Sequence, residues 1–450
     1  MRPSNLLPMC AAAAALLSLL NPAARASQPG DLDPTFGGGD GKVLTDLGGG
    51  SSDYGLGAAM QTDGKIIVVG FSGIYPGANA SIARHNSDGT LDPLFGNGGT
   101  VISHFSTTDS FTAVAVQPDG KIVAVGAAAA TSGNYGTDFL IARYSAAGSL
   151  DNSFGVSGAT VTKLRGNIPE GWYFSASAQD IVLLPDGKIL VAGQTTTVAF
   201  GRMALLRYNS DGSLDQSYGQ AGVVTVEFPV GPNGVNGGVS AFALAQQSDG
   251  KSVLAGSYVD NGFSEFALAR INADGSPDTT FGTNGQVTSP IKNGDAVALD
   301  VLLQSDGKIV AGGYFQAGLR NRDFALMRYN SNGTLDTTFG RRGTVTNDLS
   351  DGTDDAITGL MLQADNKIVA GGQSGHYPSF DFGLARYTTS GRVDKTFGRK
   401  GSVTTDFGQG SFDIAYGLLL TPDGKIVLAG ESNGANGQDF DFALSRYLAP

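Results

Sequence analysis

The sequence predicts an all-β protein: a seven-bladed β-propeller of four-stranded antiparallel blades, its ring closed by an N-terminal strand that completes the last blade. Three observations predict it. Three short phrases each recur seven times, the strand-sized segments are apolar on both faces, and the two chain ends carry complementary pieces of one unit.

The repeats come first, because a fixed period decides the architecture. A turn phrase, "QPDGKIVAVG" from Gln117 in one copy, places its Asp at Asp63, Asp119, Asp186, Asp249, Asp306, Asp365 and Asp423. A second phrase, "LDxxFG" or a near variant, places its aromatic at Phe36, Phe95, Phe154, Tyr218, Phe281, Phe339 and Phe397. A third, "FALARY" or a variant, places its Arg at Arg84, Arg143, Arg207, Arg270, Arg328, Arg386 and Arg446. The spacing is about sixty residues throughout, which is the size of one supersecondary unit.

Each unit offers four strands. In the second they are "FTAVAVQ", "KIVAVG", "DFLIARY" and "ATVTKL". Pro118 pre-sets the first turn position of "PDGK" and Gly120 takes the left-handed one, so the first two strands form a hairpin. "NSDGTLD" is a tight connection of the same chemistry between the third and fourth. In "KIVAVG", Ile122 and Ala124 face one way and Val123 and Val125 the other. A sheet apolar on both sides must be covered on both sides. Seven such sheets packed face to face around an axis achieve this without helices. A linear β-solenoid is the rival, but its coils are shorter and less hairpin-like.

The ends favour the ring. Residues 30–47 supply a fourth-strand segment, "LDPTFGGGDGKVLTDL", before any first strand, and the chain stops at a third strand, "DFALSRYLAP". Pairing of Val43–Leu47 beside Phe442–Tyr447 would close the circle and remove free sheet edges.

"LDPTFG", "QPDGKIVAVG" and segments like "FALARYNSDGTLD" resemble the delta-60 repeats of bacterial secreted or surface proteins, and the likeness spans essentially the whole chain after its first residues. The resemblance implies export and a propeller. It implies no activity.

The first 26 residues read as a secretory signal: Arg2, then an apolar run from Leu6 to Leu20, then the small-x-small site Ala24-Arg25-Ala26. Cleavage is expected after Ala26, leaving residues 27–450 as one propeller domain. "LPMC" lacks the small residue that a lipid-modified Cys10 would want before it, so no lipid anchor is expected. Cys10 is the only cysteine, so the processed chain would be disulfide-free and held by burial and hydrogen bonds alone. Losing two arginines takes the formal charge from −12 to −14. That charge disfavours nucleic acid and anionic membranes as partners. No further membrane insertion is expected. The expected location is secreted, periplasmic or cell-surface, and the expected state is a monomer.

Strands alternate direction, so "PDGK" and "NSDGTLD" share one uniform face of the ring. The second-to-third and fourth-to-first connections share the other face and vary in length. Binding residues concentrate on variable loops carried by a rigid scaffold. That face carries Trp172, Tyr173 and Phe174, with Tyr75, Tyr135, Tyr258, Tyr314, Phe315 and Tyr377 on other loops. Two readings fit them: stacking on an extracellular glycan or gripping a protein, or packing over blade edges. Trp172 is the leading exposed candidate.

Asp53, Asp109, Asp355 and Asp413 occupy one position at the start of the inner strand, with Asp295 one place off and Ala176 and Val239 in the remaining aligned blades. Converging at the channel mouth they would suit Ca²⁺; capping local backbone N–H groups they would be structural. The gaps favour capping. The "NSDGTLD" turn keeps its Gly where its Asp is lost, as in "SAAGSLD", which is what a turn needs. Arg at a strand end in every unit suits a scaffold tie, for example to the Asp of "LD". Catalysis finds little footing: His85, His104 and His376 are scattered, and there is no phosphate loop and no cofactor motif. The sequence therefore points to a binding scaffold, with a propeller hydrolase or lyase on extracellular polysaccharide as the alternative.

Overall fold

The computed structural model describes residues 27–449 except 49, 75, 131–135, 165–173, 198–200, 230–237, 261, 292–293, 319–320, 351, 435–436 and 438. These residues form twenty-eight strands, β1 to β28, in seven four-stranded antiparallel sheets. The first complete blade runs β2 (Asp53–Met60), β3 (Ile66–Ser72), β4 (Asn79–His85) and β5 (Thr100–Ser103), in that spatial order.

The turn phrase folds as its residues dictate. Gly120 has φ of 83° and donates its N–H to Gln117 O at 2.8 Å, while Lys121 N donates to Asp119 Oδ1 at 3.1 Å. The sixth copy, "ADNK", puts Asn366 in the same left-handed conformation at 61°, which Asn tolerates better than other side chains. The inner strands β2, β6 (Asp109–Val116), β10 (Phe174–Leu183), β14 (Val239–Gln246), β18 (Asp295–Leu303), β22 (Asp354–Leu362) and β26 (Asp413–Leu420) each lie against the next, and β26 lies against β2. That is a closed seven-bladed ring.

Closure uses both chain ends. β1 (Lys42–Thr45) pairs with β28 (Asp441–Tyr447), matching Val43 to Leu444 and Thr45 to Phe442, and β27 (Ile426–Ser432) joins β28 to β26. An apolar layer fills each gap between blades. One layer holds Ile67, Val69, Ile82 and Phe95 against Phe111, Ile122, Ala124 and Leu140. Each large side chain fully buried this way contributes about 1.5–3 kcal/mol.

The three phrases meet on the uniform face. In every blade the Arg Nε donates to the Asp of "LD" at 2.7–2.9 Å: Arg84 to Asp92, Arg143 to Asp151, Arg207 to Asp215, Arg270 to Asp278, Arg328 to Asp336, Arg386 to Asp394, and Arg446 to Asp33 across the closure. The guanidinium carbon of each lies 4.2–4.8 Å from the ring centre of the "FG" aromatic. The turn-phrase lysines Lys65, Lys121, Lys188, Lys251, Lys367 and Lys425 also reach those aspartates, at 2.8–3.2 Å. Six arginines then reach one blade further: Arg328, for instance, donates to Thr389 O at 2.6 Å, and Arg446 to Ser87 O. Hydrogen bonds from Lys425, Thr35 and the Thr35 N–H, with the charge of Arg446, overcome burial and hold Asp33 well below the usual carboxylate range.

One regular feature goes unannounced by the sequence pattern. Every inner strand carries a bulge at the same level, between Phe111 and Ala113 in β6 and between Ala178 and Asp180 in β10, for example. The glycine that ends "KIVAVG" sits opposite it. A Cβ on Gly126 would collide with the carbonyl oxygen of Ser110, and the same holds at Gly70, Gly193, Gly256, Gly313, Gly372 and Gly430.

Candidate functional site

The seven bulge residues, Leu56, Thr112, Gln179, Phe242, Leu299, Thr358 and Tyr416, turn into the axis and line a central cavity of about 440 Å³. The residue after each is small, Gly57, Ala113, Ala243, Gly359 or Gly417, except in two blades, where Asp180 and Asp300 intrude. Burial lifts Asp180 to about 6; burial and the neighbouring charge of Asp180 lift Asp300 to about 7. Both carboxylates are engaged. Asp180 accepts from Ile181 N and from Leu244 N of the next blade, each at 2.7 Å. Asp300 accepts from Val301 N at 2.7 Å and from Leu360 N of the next blade at 2.5 Å. Thr112 and Thr358 bridge two other junctions at the same level by donating to Ala178 O and Ala415 O. The lumen is thus a set of interblade ties around a cavity of mixed polar and apolar lining. The sequence reading missed it, although lining up the seven units at the extra residue exposes the two aspartates among small neighbours.

The variable face carries the other candidates. Tyr377 is 81 % exposed in the turn after Ile368–His376, and Ile74 is 76 % exposed in the connection between β3 and β4. Phe263 is exposed at the corresponding hairpin of the fourth blade. Tyr314 is half-buried under the Arg322 guanidinium, 4.5 Å from its ring centre, and Phe315 packs on the core. Tyr258 corrects the expectation of an accessible aromatic: it is buried, stacks on Phe228 at 5.5 Å and donates its hydroxyl to Pro229 O at 2.6 Å, because the adjoining fourth-to-first segment folds over it. Tyr75, Tyr135, Trp172 and Tyr173 lie outside the described residues. The uniform face exposes Leu94 and Val156 as well.

The four inner-strand acids do not converge on one another. Each caps the segment that precedes it: Asp53 Oδ2 accepts from Leu47 N, Asp109 Oδ2 from Phe105 N, Asp355 Oδ2 from Leu349 N and Asp413 Oδ2 from Phe407 N, at 2.6–2.9 Å. Of the two arrangements open to these acids, these contacts make the local caps. Among the described residues, Asp53 groups instead with Asp46 and Asp441, and Asp413 with Asp381 and Asp406. His85 stands where five other blades have the Tyr of "FALARY" and one has Ile271; it is buried, contacts Thr45 Oγ1 at 2.9 Å through Nε2, and burial lowers it to about 4. It is a neutral core residue.

No curated protein matches the chain. Among solved structures, polysaccharide lyase Uly1 is similar over 88 % of this chain and 90 % of its own, with a TM-score of 0.52 and 13 % identity. Sqt1 of Chaetomium thermophilum covers 89 % of this chain and 96 % of its own, with a TM-score of 0.47 and 12 % identity. A glucose dehydrogenase covers 91 % and 99 %, with a TM-score of 0.38 and 11 % identity. At these identities the likeness is one of fold. Seven stretches, residues 61–95, 117–154, 184–218, 247–281, 304–339, 363–397 and 421–449, match the family described as "Domain of unknown function (DUF5122) beta-propeller". One stretch falls in each of the seven blades, together they span more than half of the sequence, and the chain therefore belongs to the DUF5122 β-propeller family.

Proposed function

We propose that the protein is an exported binding scaffold of the delta-60 repeat type, cleaved after Ala26 and working as a monomer outside the cytoplasm, which holds an extracellular glycan or protein on its variable face. One observation carries this reading: large apolar side chains, Ile74, Phe263 and Tyr377, stand exposed at second-to-third connections of three blades, all on the face whose loops differ from blade to blade. Exposed aromatics on rigid hairpins bind rings and side chains with little ordering entropy to lose. The engaged lumenal carboxylates fit the same reading, since every oxygen of Asp180 and Asp300 already accepts a backbone N–H.

A second reading, a hydrolase or lyase on extracellular polysaccharide, is favoured by the blade-specific group of Asp180, Asp300, Gln179 and Tyr416 around the cavity. The fold-level likeness to polysaccharide lyase Uly1 accompanies it. Screening the purified protein on an array of extracellular polysaccharides, with reducing-end release assayed in parallel, separates the two. The scaffold reading expects binding without release, and binding that weakens about tenfold or more in an Ile74→Ser/Tyr377→Ser variant of unchanged melting temperature, as loss of interface anchors does. Release that disappears in Asp300→Asn would establish the enzyme instead.

A further inference from the structure

Two aspartate triads occupy equivalent places one blade apart. In each, one acid follows an outer strand (Asp46, Asp406), one opens the next inner strand (Asp53, Asp413) and one lies early on a third strand (Asp441, Asp381). Within each triad, one carboxylate oxygen from every member lies within 4.8 Å of the other two.

A cluster of acids alone is common, but a second observation sets these two apart. Asp53 and Asp413 are 0 % exposed, and the Oδ1 atom of each has no hydrogen-bond partner. The Ser72 and Ser432 hydroxyls beside them offset part of the burial yet close no hydrogen bond to Oδ1. The same position in two other blades behaves differently. Asp109 Oδ1 accepts from Ser106 Oγ at 2.6 Å, and Asp355 Oδ1 from Thr353 Oγ1 at 2.8 Å. Neither of those acids belongs to a close triad among the described residues. An open, buried acceptor therefore appears in the two junctions where three carboxylates meet, and is filled by a hydroxyl in two where they do not. Leaving such an oxygen unmet is costly, more so for a charged group.

We propose that each triad binds one Ca²⁺, and that the two ions brace the seventh blade on its two sides. Asp46 and Asp441 belong to that blade and Asp53 to the first; Asp381 and Asp406 belong to the sixth and Asp413 to the seventh. The ions thus flank the one blade assembled from both chain ends. Oxygen-only ligands select a hard cation. Ligands on one Ca²⁺ at about 2.4 Å are separated by up to about 4.8 Å, whereas octahedral Mg²⁺ at about 2.1 Å draws them closer. Lys42 Nζ, near the second triad, donates to the carbonyl oxygen of Asp406 at 3.0 Å and not to a carboxylate.

The test is calorimetric titration of the chelator-stripped protein with CaCl₂, with thermal unfolding alongside. Two ions per chain and a melting temperature raised in millimolar Ca²⁺, but not in millimolar Mg²⁺, are expected. Asp46→Asn/Asp406→Asn alters only exposed members and leaves the buried caps intact; it should abolish the Ca²⁺ heat and the thermal shift while melting no lower than the wild type in chelator. Asp348→Asn, at a junction whose Oδ1 is already filled, should keep both. Absence of heat and shift in the wild type, an equal shift with Mg²⁺, or a Ca²⁺ response that survives in the double variant would each overturn the proposal.

Discussion

Glu431 shows how one buried residue ties the stability of the ring to pH. It sits in β27, 5 % exposed, its Oε2 without a hydrogen-bond partner, and burial pushes it from 4.5 up to about 8. Its folded pKa lies above its unfolded one, so the native state binds the extra proton between those values. Stability from this group is therefore full below about 4.5 and falls as pH rises towards 8. Glu431→Gln removes that titration. The variant should gain on the wild type from pH 5 up to about pH 8 in thermal unfolding and level off beyond it, and a constant offset between the two curves throughout would contradict the assignment. The exception was visible in the sequence only as "LAGES", one acid in an apolar phrase. Its burial was not, because the face that a strand residue takes depends on register and the neighbouring blade. His85 was similarly ambiguous until its place could be matched to Tyr144, whose hydroxyl likewise bonds the outer strand of the preceding blade at Ser103.

At the scale of the element, the repeated phrases are instructions for one junction each. The turn glycine makes the hairpin, the strand glycine makes room for the bulge, and Arg, Asp, Lys and the aromatic tie the third strand to its own return loop and to the next blade. Arg328 is nearly buried and bonds Asp336, Thr338 and Thr389 at once. Arg328→Ala leaves the Asp336 charge with Lys308 engaged elsewhere, on Asp306 at 2.6 Å. Breaking a buried pair from one side destabilises by about 3–5 kcal/mol. Urea unfolding should show that loss with ligand affinity unchanged; weaker binding at an unaltered midpoint would give the arginine a role in the site instead. Turns and ties were legible because they depend on residue types at fixed offsets. The bulge was not, since one extra residue shifts a period-2 pattern that is apolar on both faces and so leaves no mark. The lumenal aspartates show only once the units are aligned at that extra residue, and the triads stay hidden because their members come from separate strands of adjoining blades, in one case joined only by closure.

At the scale of the whole molecule, the ring follows from seven sheets with two apolar faces each, and its integrity depends on a single borrowed strand. Deleting residues 27–47 removes β1, Leu32, Asp33 and Phe36, exposing the edge of β28, leaving Arg446 without its carboxylate and Lys425 with Asp423 alone. The truncated chain should lose its single cooperative transition and self-associate through that edge, as unpaired strands do; a monomer with an unchanged melting curve would refute the dependence on closure. The pairing of β1 with β28 also orders events in time. The stretch made first is engaged last, so the polypeptide has no finished native state to adopt until its final residues are free. A ring built this way can close only where tail and head lie on the same side of any barrier between them.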